Sequence, residues 1–183
     1  MIADSHFKLK QYPEAAAVYD QFVRLHPTHP KVDFAQYRVG LCYWKEAPEE
    51  VDREQEFTAK AIEIWEEMIE MYPQSKYKAE AQTNVQLGLR RLAEADAFIA
   101  EFYCKRKKWS ACAYRAISLI EKHKGYKDLV KKGALLGAKA FKQLADELDE
   151  GQMPKDANLF TRKMSAKDLR DKAAELEKIQ AKM

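Results

Sequence analysis

Two histidines three positions apart, His26 and His29, are the first residues whose type and spacing could hold a metal. Both border prolines in a turn, and no further His or Cys lies near them, so the pair falls short of a zinc ligand set. Glu66, Glu67 and Glu70 look like paired carboxylates for acid–base work, but they fall on the solvent side of an amphipathic pattern, where charge is expected. Cys42, Cys104 and Cys112 show no C-x-x-C spacing, so the default reading is three buried small hydrophobes. Cys104 and Cys112 nevertheless flank a turn and can meet across a hairpin, where an oxidising compartment would join them. The chain has no Gly-rich phosphate loop, no H-E-x-x-H and no G-x-S-x-G. The expectation is a protein that is not an enzyme and uses no metal and no cofactor.

The remaining chemistry is that of recognition. Lys105-Arg-Lys-Lys-Trp109 is the densest basic run, and its place at a helix end fits the macrodipole better than a nucleic-acid patch. Lys and Arg number 32 against 29 Asp and Glu, a balance too slight to argue for nucleic acid. Arg106, Trp109, Tyr114 and Arg115 are residue types that dominate interface energies, and they are the candidate partner-binding set. For Trp109 and Tyr103 a second reading stands beside this one, that the two rings lock the hairpin. Tyr37, Arg38, Tyr43 and Lys45 are the candidate groove residues, offering aromatic faces and donors to an extended peptide with a carboxylate or aromatic end.

Elements that position these residues follow from helical periodicity. The 183 residues are 46% apolar and 33% charged with six Gly and six Pro, which favours a helix-rich chain. No run of about 18 apolar residues is present to span a membrane. Pro27 and Pro30 force a turn between a helix ending near His26 and the aromatic-rich helix beginning at Val32, in which Gly40 allows close approach. That joint is the tetratricopeptide pattern.

Segments 12–27, 58–73 and 109–124 superpose: Ala15, Ala61 and Cys112 share a small-residue column, Phe22, Met68 and Leu119 a large one, and Val23, Ile69 and Ile120 a branched one. The fold class is therefore all-α, a solenoid of antiparallel helix pairs over residues 1–148.

Pro27 and Pro73 lie 46 residues apart, about 12 more than the repeat period, and the excess forms a charged insert over about 45–57, read either as functional or as a solvated spacer. Ser75 is a candidate cap for a pattern running to about Lys107, one long helix or two with a bend near Gly88. Gly133 and Gly137 prepare close packing in the next helix, and composition changes at Asp149. Residues 149–183 form a charged extension in which Asp149–Asn158 breaks the helix, and a weaker stripe over 165–182 predicts a helix that caps the last repeat or stays partly free. Met1 begins inside a helical pattern, so the chain reads as cut short at its front, with no leader or acylated cysteine in view.

Taken in order, Phe22-Val-Arg-Leu-His-Pro-Thr-His-Pro, the Tyr37-x-x-Gly40-Leu41 helix, Val51-Asp-Arg-Glu-Gln, Tyr72-Pro-Gln-Ser-Lys-Tyr77 and Phe102-Tyr103 before Trp109 resemble the BamD family, tetratricopeptide lipoproteins of the outer-membrane β-barrel assembly machinery. The likeness covers about residues 1–148. It implies a five-repeat helical protein at the periplasmic face of the outer membrane, held by a lipid anchor that this chain does not show. Its implied partners are the barrel-forming subunit, accessory lipoproteins and the C-terminal signals of unfolded barrel proteins, with no nucleic acid. By position, Arg106 and Arg115 match the family's arginines at the contact with the barrel-forming subunit. The rival reading is another periplasmic tetratricopeptide adaptor. A cytosolic co-chaperone would need paired lysines and asparagines that are not found.

Overall fold

The computed structural model describes residues 2–152, 158 and 160–182. Among these the chain is all-α: α1 (Ile2–Lys8), α2 (Tyr12–Leu25), α3 (Val32–Glu46), α4 (Glu56–Met71), α5 (Lys78–Lys105), α6 (Trp109–Lys122), α7 (Lys127–Asp149) and α8 (Ala166–Lys182). Consecutive helices pack on one another as tetratricopeptide-type hairpins, α1 with α2, α2 with α3, α3 with α4, α6 with α7 and α7 with α8. The contacts divide the chain into two units, residues 1–92 and 93–183. α5 is one continuous helix of 28 residues that contributes its first half to one unit and its second half to the other.

In the first unit the small-residue column does what its spacing predicts. Ala15 and Ala61 are fully buried, and each opens room for large neighbours, Tyr19 beside the first and Trp65 and Met68 beside the second, all at 0% exposure. Gly40 has the same role in α3, since a Cβ there would meet the Trp65 ring, with Cδ1 at 2.6 Å. That ring is pinned by its Nε1–H, which donates to the Tyr37 carbonyl at 3.2 Å. Helix α3 ends at Glu46, just ahead of Pro48, because the residue before a proline is driven out of the helical region. Ala47 is accordingly extended, with ψ of 133°. The insert narrows to residues 47–55 and is anchored: Arg91 Nη1 donates to the Pro48 carbonyl at 3.4 Å while its guanidinium lies 3.8 Å over Trp44. Ser75 Oγ accepts the Tyr77 N–H at 3.1 Å and donates to Asp33 at 2.6 Å, ordering the approach to α5.

In the second unit Cys112 is the buried column member, with Leu119, Phe141 and Leu144 also at 0% exposure. Helix α8 begins with a capping box: the Asp168 N–H donates to Ser165 Oγ (3.2 Å) and the Ser165 N–H to Asp168 Oδ2 (2.9 Å). Its stripe of Leu169, Ala173 and Leu176 is buried against α7, so of the two expectations for this helix the structure shows the docked one. Leu176 Cδ1 stands 2.7 Å from where a Cβ on Gly137 would lie, so a glycine there gives α8 its seat. Helix α7 runs through Asp149, so the break expected over Asp149–Asn158 begins at Glu150, and its residues 153–157 lie outside the described residues.

Candidate functional site

Helices α2, α3 and α4 enclose a groove of about 580 Å³. Ala16, Val39, Cys42 and Ile64 form its apolar floor, Tyr43 and Phe57 stand on its wall, and Asp20, Arg24, Glu46, Lys60 and Glu67 supply a charged rim. Phe57 is 44% exposed, with its ring 6.2 Å from that of Tyr43. The spacing Phe57, Lys60, Ile64, Glu67 along α4 extends the groove over three helical turns, about 15 Å. An apolar floor with mixed charge at its edge suits a short polypeptide segment that buries one or two side chains and leaves its backbone near polar partners. Burial pushes the Cys42 thiol up to about 12, so it serves as floor and not as a nucleophile.

Of the candidate groove residues Tyr37, Arg38, Tyr43 and Lys45, Tyr43 lines this cavity and the other three lie elsewhere, a consequence of helical pitch. Tyr37 is six residues back and 3% exposed, stacked 5.2 Å from Tyr77 and 6.5 Å from Trp65, with its phenol pKa raised chiefly by burial. Its ring belongs to the core. Arg38 clasps three helices, its guanidinium 3.6 Å over Phe7 of α1 and its Nε–H donating to Tyr19 Oη of α2 at 3.2 Å. Tyr19 in turn donates to Asp4 at 2.5 Å. Burial, then that bond, raises the Tyr19 pKa to about 12, while the same hydroxyl lowers that of Asp4. Lys45 is exposed, but two positions from Tyr43 it projects from a different side of α3. Phe57 and Lys60 are the groove residues that sequence reasoning missed. In the sequence pattern Phe57 falls at the end of the charged insert, although an aromatic at the first turn of an amphipathic helix is a usable signal.

The second unit carries the other candidate set. Arg106 is exposed, its guanidinium 4.3 Å over the 40%-exposed ring of Phe102. Tyr114 is 50% exposed and meets Phe160 edge-on at 6.1 Å. Arg115 is half-buried in the column that holds Val18 and Ile64 elsewhere. Trp109 is 6% exposed, within the core of its hairpin, so its ring acts as the lock and stands apart from the surface trio. Thr161 Oγ1 donates to Ser110 Oγ at 2.8 Å and Phe160 lies 6.1 Å from Phe141, so the segment leading into α8 rests on the first turn of α6. Nothing in the sequence pattern marked that contact.

The histidines of the α2–α3 turn flank one ring, His26 and His29 lying 5.2 and 5.0 Å from Phe22. Among the described residues no group of three His, Cys, Asp or Glu is arranged to hold a metal ion, and no helix is long and apolar enough to cross a membrane.

Fold and surfaces together define an all-α protein of tetratricopeptide-type hairpins whose distinctive features are a groove and an aromatic–arginine face. A family model described as outer membrane lipoprotein, YfiO, matches residues 1–152, and the chain belongs to that family. Proteins named outer membrane protein assembly factor BamD are similar to it. The one from Caulobacter vibrioides is 28% identical over 123 residues, 67% of this chain and 40% of the relative. That of Neisseria meningitidis serogroup B is 28% identical over 151 residues, covering 78% of this chain and 56% of the relative. The Vibrio cholerae serotype O1 protein, also 28% identical over 151 residues, gives 76% and 61%. The chain thus spans about half the length of the curated relatives it matches.

Proposed function

We propose that this chain is part of a non-enzymatic scaffold for outer-membrane protein assembly, acting at the periplasmic face of the outer membrane. What carries the reading is the family match over residues 1–152, which includes both candidate surfaces. In this reading the groove of α2–α4 takes the C-terminal signal of an unfolded barrel protein. Tyr43 and Phe57 grip an aromatic side chain, Lys60 lies within reach of a terminal carboxylate, and Arg38 and Tyr37 hold the helices that shape the groove. Arg106, Tyr114 and Arg115 face the barrel-forming subunit, whose periplasmic domains would meet two cations and exposed aromatic rings. Accessory lipoproteins are further partners in the same assembly.

Fluorescence anisotropy with a labelled C-terminal peptide of an outer-membrane barrel protein tests the groove. Tyr43→Ala and Phe57→Ala are expected to weaken binding about tenfold each, the scale of a contact losing 1–2 kcal/mol, while Lys45→Ala changes little. Equal affinity of the wild type and both aromatic variants would remove the groove from the mechanism.

A further inference from the structure

The turn between α5 and α6 carries a feature that peptide binding and subunit contact leave unexplained. Lys107 has a φ of 55°, a left-handed conformation unfavourable for any residue with a β-carbon. The turn closes through Lys108 N–H to Tyr103 O and Lys107 N–H to Cys104 O, both 3.0 Å, an ending usually given to glycine. Around it Cys104 and Cys112 are joined as a disulfide, eight positions apart in sequence with Cα atoms 5.0 Å apart, inside the range such bonds adopt. Both cysteines are buried, at 6% and 0% exposure. Their sulfurs lie 4.0 and 3.7 Å from the Leu136 carbonyl oxygen, so a reduced pair also finds an acceptor for its S–H groups. The first unit repeats the turn without the bond: Lys10 has φ of 60°, with Phe7 and Ala15 where the cysteines would be.

We propose that Cys104–Cys112 is a redox-dependent clamp on the loop that bears Arg106, installed by thiol–disulfide exchange with a protein dithiol–disulfide oxidoreductase. One cysteine thiolate attacks a sulfur of the oxidoreductase disulfide, breaking that S–S bond and releasing the enzyme's other sulfur as a thiol. The second cysteine attacks the mixed disulfide, the Cys104–Cys112 bond forms, and two electrons and two protons leave with the enzyme's dithiol. Cys42 takes no part, being 1% exposed in the other unit and unpaired. The clamp ties together the two ends of the loop that carries Arg106, so where Arg106 meets a partner, as proposed above, an oxidising compartment restrains the loop that presents it.

The test needs no partner protein. The full chain is equilibrated with oxidised glutathione or with excess dithiothreitol, alkylated with iodoacetamide in denaturant, and weighed. One adduct is expected after oxidation and three after reduction. Reduction should lower the melting temperature by about 5–10 °C. It should also speed amide exchange across residues 104–112 and leave the α1–α2 turn unchanged. The double variant C104A/C112A should melt like the reduced protein and ignore the reductant. Three adducts after oxidation, or identical melting and exchange in the two states, would overturn the proposal.

Discussion

Replacing Gly40 by alanine tests the close approach on which the first unit is built. The added methyl group would meet the Trp65 ring at Nε1, at Cδ1 (2.6 Å) and at Cε2 (2.8 Å). An ordinary carbon contact is about 3.5–4.0 Å, so the ring must retreat by roughly 1 Å. It has nowhere to go: Trp65 is at 0% exposure, with Trp44 at 6.0 Å and Tyr37 at 6.5 Å between ring centroids. Overpacking of this kind costs about 1–3 kcal/mol, and stretching the Nε1–H bond to the Tyr37 carbonyl adds about 1 kcal/mol. Alanine returns about 1 kcal/mol of helix propensity. The net is a loss of about 1–3 kcal/mol, or a melting temperature lower by roughly 3–10 °C. Circular dichroism melts would be run beside Gly125→Ala, where a Cβ meets nothing within 4 Å. A Gly40→Ala protein as stable as the Gly125→Ala control, or more stable, would refute the packing argument.

Three further outcomes follow from the same geometry. Leu176→Ala should cost about 2–4 kcal/mol in chemical denaturation, the price of a cavity beside Gly137; no change would mean that α8 does not stay docked. Lys107→Gly, which relieves a left-handed conformation, should raise stability by about 0.5–1 kcal/mol in the same assay, and a loss would contradict the turn geometry. Glu101 bridges Lys105 (2.7 Å) and Lys132 (2.6 Å), and hydrogen bonds to these two hold its pKa down at about 2 against an ordinary 4.5. Its folded pKa is depressed, so its contribution is present above about pH 4.5 and is lost as pH falls through about 2. With the carboxylate 30% and Lys105 74% exposed, screening reduces that contribution to about 1 kcal/mol. The stability gap between wild type and Glu101→Gln should therefore close on acidification from pH 7 to 2, and a gap that widens would reverse the assignment.

Columns were legible in the sequence because burial at a hairpin contact demands one size class at one spacing. Ala15, Ala61 and Cys112 are all fully buried for that reason. Gly40 and Gly137 were legible as close-approach positions, and Leu169, Ala173 and Leu176 as the inner stripe of α8. Which way the aromatic residues of α3 face was not. That helix is buried against α2 and α4 and bears Tyr37, Tyr43 and Trp44, so its apolar pattern runs round more than one side and cannot say which ring reaches a surface. Arg38 read as a donor for a peptide because its own partners, Phe7 and Tyr19, lie on two other helices. The turn at Lys107 carries lysine where glycine is the usual signal, and the contact of Thr161 with Ser110 joins residues 51 positions apart with no shared periodicity.

A scaffold of outer-membrane protein assembly is expected to bind the barrel-forming subunit, and that contact can be measured with purified components. The purified periplasmic domains of that subunit, titrated against the oxidised chain by calorimetry, should bind saturably. Arg106→Ala and Arg115→Ala should each weaken the complex about tenfold or more, while Tyr43→Ala leaves it unchanged. A folded chain that gives no heat of binding, or arginine variants that bind as well as the wild type, would contradict it.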